Sequence, residues 1–217
     1  MNAAMKSRKF MSVTQMGQVL VLLTLLSVVA CASRAPVDPM KLAQLHVISL
    51  TGFSDPKFSP MTSGTLPVGK DLNIILAKQD LRLGSELKSS ITSALRNLGY
   101  EVQEGRASSD ATLDVKFGAV SYFAPPIIVG GGFGPLILVD VRVANSMSNE
   151  VIMRRTYMYQ LSTYTGLTNY TPLAADQKYK FEELDALEKN PTLAADGLRA
   201  AIPLVTQSIA AELMRRE

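Results

Sequence analysis

Few side chains in this sequence could make or break bonds, and their spacing limits the chemistry they could do. Cys31 is the only cysteine and His46 the only histidine. One thiol allows no disulfide within the chain and no thiolate-built metal site, and one imidazole gives zinc no second nitrogen. A nucleophilic serine or cysteine needs a base beside it. His46 stands alone at the start of the first predicted strand, and no Gly-x-Ser-x-Gly elbow is present. Glu182, Glu183, Asp185 and Glu188 crowd one short segment. No apolar surroundings push their pKa values apart, so they read as a solvated face rather than an acid/base pair. The glycines around Gly130 and Gly134 are not followed by Gly-Lys-Ser/Thr, and Pro135 breaks a Gly-x-Gly-x-x-Gly reading. These residues predict no enzyme, no cofactor and no metal site. The single thiol is the one reactive group still to be explained.

Its surroundings give it a role. Lys6, Arg8 and Lys9 precede an apolar run from Val19 to Cys31, and no acidic residue stands ahead of that cysteine. A basic start, a short apolar run and a small residue before the cut describe a secretory signal. The run is about a dozen residues, against the roughly 20 a spanning helix needs, so removal is expected rather than retention as an anchor. Val28, Val29, Ala30 and Cys31 resemble the lipobox of bacterial lipoproteins. That resemblance implies that Cys31 receives lipid and becomes the first residue of the mature chain. Ala32 follows it, where an aspartate holds enterobacterial lipoproteins at the inner membrane, so the resemblance implies delivery to the outer membrane. Each buried methylene of an acyl chain contributes about 0.8 kcal/mol, and stable anchoring takes more than one chain. The diacylglyceryl and amide-linked acyl groups of a lipoprotein meet that need, and acylation would also remove a stray thiol from an oxidising compartment.

The cut also changes the charge. The chain holds 22 basic and 19 acidic residues, a formal charge of +3. Without the three leading cations the two signs balance, so the basic pI reflects the leader and implies no nucleic-acid partner. The remaining 187 residues suffice for one buried core.

The elements that must position these residues follow in order. Residues 32–45 read as a tether, since Pro36 and Pro39 disfavour helix and strand alike. Residues 46–50 partly alternate and predict a strand. Residues 52–70 carry Pro56, Pro60 and Pro67 with Gly64 and Gly69 and predict a long loop, either functional or packed over a sheet. Leu87, Ile91, Ala94, Leu95 and Leu98 share one helical face, with Ser85 as expected N-cap and Gly99 past the end. Residues 100–103 return along the sheet. Residues 111–119 alternate strictly, 139–143 do the same, and 151–161 run back after a turn at 145–149; three antiparallel strands in sequence make a meander. Arg154 and Arg155 lie on opposite faces of the last of these, so the inward one needs a partner or an edge position. Phe181, Leu184 and Leu187 suggest a short acidic helix. Asn190 and Pro191 open a final helix with an apolar stripe from Leu198 to Leu213, in which Pro203 predicts a kink near residues 199–203 or two abutting helices.

Two aromatic or apolar groups admit more than one reading. Residues 124–138 carry no charge. They fit either a buried hairpin, whose glycines allow positive φ or close approach, or an exposed apolar tip that offers Pro126, Ile127, Ile128, Phe133 and Leu136 to a membrane or a partner. Five tyrosines fall between 157 and 179. Tyr157 and Tyr159 share a strand face and predict core pairs; Tyr164, Tyr170 and Tyr179 fit solvated loops or a protein or glycan contact.

The order strand, helix, four strands, helix predicts an α+β fold: a mainly antiparallel sheet with two long amphipathic helices on one face. The organisation expected is a signal peptide at 1–30, a lipidated tether at 31–45 and one periplasmic domain at 46–217. With the lipobox, this order resembles the periplasmic lipoproteins of envelope assembly and export, the LptE, CsgG, PelC and LpoB kind. The resemblance implies an outer-membrane lipoprotein acting without catalysis in an assembly, secretion or export complex. Its partners would be the outer membrane through the lipid on Cys31, other envelope proteins, or copies of itself. The alternative reading is a carrier of a lipid, glycan or other amphiphile held between helices and sheet.

Overall fold

A computed structural model describes residues 37–63, 66–67, 71–104, 108–125, 131–161 and 170–214. All of them belong to one compact unit, Arg34–Glu217. The segment expected to be a signal peptide, and Cys31, lie outside the described residues.

The fold is a mixed α+β sandwich. Among the described residues, eight strands join one sheet. Its backbone is the predicted meander: β5 (Ala111–Ala124), β6 (Gly134–Asn145) and β7 (Val151–Gln160) pair antiparallel in sequence. Leu113, Val115, Val139, Val141, Val143, Tyr157 and Tyr159 point into the core and are almost wholly buried, whereas the alternating Lys116, Asp140 and Arg154 are exposed. One face covered and one face wet is the arrangement that period-two patterning encodes. At both flanks the pairing turns parallel. β1 (Val47–Gly52) runs parallel to β5 on one side and to β4 (Glu101–Gln103) on the other. β8 (Thr171–Ala174) runs parallel to β7. Two short strands from the proline-rich loop, β2 (Thr62–Ser63) and β3 (Leu66–Pro67), attach to the far end of β5.

β5 is five residues longer than its strict alternation. Its register against β6 shifts between Phe117 and Ala119. The extra residue moves the buried set from Leu113 and Val115 to Val120, Tyr122 and Ala124. A bulge puts two residues opposite one and so reverses the alternation beyond it.

The helices α3 (Leu83–Asn97), α5 (Pro191–Arg199) and α6 (Ala201–Leu213) bury their apolar stripes in one core. The Thr206 hydroxyl donates to Ser90 at 2.9 Å and ties α6 to α3. The final helix is two abutting helices that meet at Ala200, so Pro203 falls in the first turn of α6, where its missing N–H costs least. Gly99 has φ +83 just past α3, as expected. Ser85 is not the cap. It lies within the first turn and donates to the Arg82 carbonyl, while the Asp55 carboxylate accepts from the Gly84 N–H at 2.7 Å. Asn190 holds the N-cap position of α5, but its amide donates back to Ala186 O at 2.7 Å. That carbonyl belongs to the short helix α4 (Leu184–Lys189), which begins later than the acidic segment suggested.

The expected tether is shorter than its composition implied. Asp38 caps α1 (Pro39–Ala43), accepting from Met40 N and Lys41 N at 3.1 and 3.3 Å. Pro39 is at the first helical position, where its fixed φ favours a helix. Leu42 and Leu45 are buried, so the folded domain already includes residues placed in the tether. α2 (Leu72–Leu76), capped by Asp71, was not anticipated from periodicity, since one turn is too short to show any.

Gly52 ends β1 with φ +91, and a Cβ there would collide with the carbonyl oxygen of Val115. Replacing it by alanine should destabilise the domain by more than about 1 kcal/mol, because the native backbone cannot accept the side chain. A lower urea midpoint at unchanged m-value would register it; an unchanged midpoint would show that the strand end can shift.

Candidate functional site

Of the residues singled out for contact with a membrane or partner, Cys31, Pro126, Ile127 and Ile128 lie outside the described residues. Phe133 is not exposed. It is a core residue at 8% exposure, in an antiparallel bridge with Phe181: Phe133 N–H donates to Phe181 O at 2.6 Å and Phe181 N–H returns the bond at 2.9 Å. The Phe181 ring meets Tyr122 edge-on, with centroids 5.7 Å apart. Leu136 sits on the sheet face away from the helices, half-buried opposite Ser121. The neighbouring glycines serve close approach. Gly132 has φ +102 and lies against Phe181, and Gly134 packs under Leu161. At Phe133, therefore, the buried-hairpin reading is the right one.

The structure offers a different site, at the start of the folded chain. A cleft of about 520 Å³ opens between α1, the middle of β7, the start of β8 and the last turns of α6. Val37, Leu42, Ala211 and Met214 supply apolar wall; Thr171 and Ser208 supply hydroxyls. The inward arginine found its partner here. Arg155 is nearly buried, and its Nε and Nη2 donate to the Glu212 carboxylate at 3.1 and 3.4 Å, while Nη1 donates to Arg154 O at 2.9 Å. The paired charges cancel, so this wall bears little net field.

Tyr157 borders the same cleft with its side chain fully buried. Among the described residues its hydroxyl has no hydrogen-bond partner. Tyr122 and Tyr100 show what a buried tyrosine ordinarily finds: their hydroxyls donate to Ala194 O at 3.0 Å and Leu213 O at 2.7 Å. Burial, with the Glu212 charge adding to it, pushes the Tyr157 phenol well above its ordinary pKa. It is therefore a neutral O–H donor throughout the physiological range. A second cleft, of about 410 Å³, borders α1 among Lys41, Asp110, Asn145 and Glu150, with Leu45, Met147 and Ile152 beside them. There Asp110 accepts from His46 N and Val47 N at 2.8 Å each, which holds its carboxyl below the usual range.

Among the described residues, no group of three or more His, Cys, Asp or Glu is placed to hold a metal ion. His46 is exposed at the entrance to β1. No helix among them is long and apolar enough to cross a membrane. Sequence reasoning expected a partner for whichever of Arg154 and Arg155 points inward, but not the cleft, whose walls come from segments more than a hundred residues apart.

Neither a family model nor a curated protein matches the chain. Among solved structures it is similar to a DUF330 protein from Xanthomonas campestris, at 9% identity over 77% of this chain and 85% of that one, with a TM-score of 0.43. It is also similar to a PelC dodecamer from Paraburkholderia phytofirmans, at 10% identity over 84% and 96%, TM-score 0.40. A minor lipoprotein from Acinetobacter baumannii gives 10% identity over 77% and 94%, TM-score 0.35. Scores and identities this low do not establish a shared activity.

Phe133→Ala should cost about 3–5 kcal/mol, the range for emptying a buried aromatic site, and Phe133→Asp should abolish the cooperative melt. A Phe133→Asp protein that melts normally would return the side chain to the surface. Alkaline titration tests the buried phenols. Tyr122, Tyr157 and Tyr159 are all raised by burial. Their contribution is complete below the unfolded pKa of about 10 and is lost as pH rises above it, by up to about 4 kcal/mol per unit for the three together. Tyrosinate absorbance should show them ionising only as the fold opens; ionisation in the folded state would contradict their burial.

Proposed function

We propose that this chain is a lipid-anchored, non-enzymatic component of the cell envelope. Cys31 holds it at the outer membrane, the domain faces the periplasm, and it works with other envelope proteins or with copies of itself. The observation that carries this is the lipobox-like Val28, Val29, Ala30 and Cys31 behind a short apolar run, with folded structure beginning only a few residues later. Val37 already lines the cleft, six residues from Cys31. Six residues extend to about 20 Å at most, so an acylated Cys31 keeps this end of the domain against the bilayer. The absence of a nucleophile–base pair in the sequence supports a binding or assembly role over catalysis.

A second reading, the binding of an amphiphile, is favoured by the cleft itself. It mixes apolar and polar walls in a volume within the range of small-molecule sites, and it lies at the anchor-proximal end.

Mass spectrometry of the protein purified from membranes should find a chain beginning at Cys31 and carrying acyl mass there. Cys31→Ser should leave the leader attached. An intact leader on the wild-type chain with no acyl group would overturn the proposal. Cross-linking followed by affinity purification from solubilised membranes should recover envelope proteins or multimers of this chain; a lone monomer would argue for the binder instead.

A further inference from the structure

Among the described residues six large apolar side chains are exposed: Met40, Ile74, Met147, Val151, Leu193 and Met214. Single exposed apolar residues are ordinary, but their gathering at one place is not. Four of the six surround α1. Met40 stands on α1 itself, on the outward side with Ala43, while Leu42 and Leu45 are buried. Met147 lines a cleft with Lys41 and Leu45, and Val151 begins β7 just beyond that turn. Met214 lines the other cleft with Val37 and Pro39. The remaining two lie at the opposite end. β5 runs from Asp110, which bonds His46 and Val47, to Tyr122, which bonds Ala194. Leu193 is beside Ala194 on α5, and α2, with Ile74, packs on α5.

We propose that the α1 end of the domain is a membrane-contact face, on which Met40 and Met147 enter the headgroup–acyl boundary of the bilayer that holds Cys31. The chain outside the described residues names this occupant. Val37 is six residues from Cys31, a reach of about 20 Å at most, so a lipid on Cys31 brings this end, and not the Ile74 and Leu193 end, to the lipid surface. Methionine suits such a contact, because its unbranched side chain adapts to an irregular apolar surface. The charges within the face are paired, Lys41 with Glu150 and Asp38, which lowers the cost of bringing them near lipid. In the sequence Arg34 precedes the face and Arg215 and Arg216 follow Met214, cations that suit anionic headgroups. This inference rests on the anchored reading above and adds that the domain itself touches the bilayer in one orientation.

The test uses the full-length protein purified from membranes, in vesicles of phosphatidylethanolamine and phosphatidylglycerol. Cys31 is the only native cysteine and acylation blocks it, so Met40→Cys, Met147→Cys and, at the far end, Ile74→Cys can each carry one environment-sensitive dye. Phospholipids brominated on their acyl chains should quench the dye at positions 40 and 147 but not at 74. Acrylamide in the water should quench it at 40 and 147 at least about threefold less than at 74. Met147→Asp should lower the lipid quenching at position 40 by at least about threefold, since one buried methionine favours lipid contact by about tenfold or more. Its melting temperature should stay at that of the wild type, because the position is exposed. Positions 40 and 147 as open to water as 74 would overturn the proposal, as would lipid quenching at position 40 that ignores Met147→Asp. Shielding from acrylamide without lipid quenching would also overturn it, by showing that a protein covers the face. The acyl mass on Cys31 is read from the same sample. Its absence counts against the proposed function, whereas its presence with positions 40 and 147 in water counts against this inference alone.

Discussion

Every layer of this domain depends on one strand being hydrogen-bonded along both of its edges. β5 pairs with β6 over nearly its whole length, with β1 through Ala111 to Val115 on the other edge, and with β2 at Phe123 and Ala124. Its backbone groups are buried between these neighbours and must be paired. Once β5 is fixed, the meander can only extend on the β6 side and the parallel crossover can only dock on the β1 side. The helices then have one apolar surface to cover. The bulge near Gly118 lets one long strand face the same core along both halves, with Leu113 and Val115 before it and Val120 and Tyr122 after it, the last bonded to α5.

What could be read from the sequence follows from how local each signal is. The meander, α3 and the divided last helix were legible because period two, period 3.6 and an internal proline act within a dozen residues. The far half of β5 was not, because a one-residue shift destroys the alternation that identifies a strand. α1 was misread for a sharper reason. Asp38 followed by Pro39 is a helix start when the residues beyond can be buried, and only the docking of Leu42 and Leu45 decides that. The cap on α3 comes from Asp55, 29 residues upstream of Gly84, so Ser85 looked better placed than it is.

The candidate site shows the same boundary. An inward arginine on β7 predicts a partner, but nothing near it in sequence names Glu212, 57 residues away. The Phe133 segment went the other way. Its lack of charge fits exposure to lipid and burial equally well, and at Phe133 the bridge to Phe181 decides for burial because that bond forms only in the folded chain. The cleft has no sequence signature at all, since α1, β7 and α6 meet only after the core has closed.

The way β1 is held bears on how the domain answers force. It enters from α1, is clamped at its first residues by Asp110, and lies between two parallel neighbours, β4 and β5. A tug arriving from the amino-terminal side runs along the strand, so the ladders on both flanks are loaded in shear and must give way together rather than unzip one bond at a time. A domain leashed at this end is therefore built to stay folded while whatever it is fastened to moves.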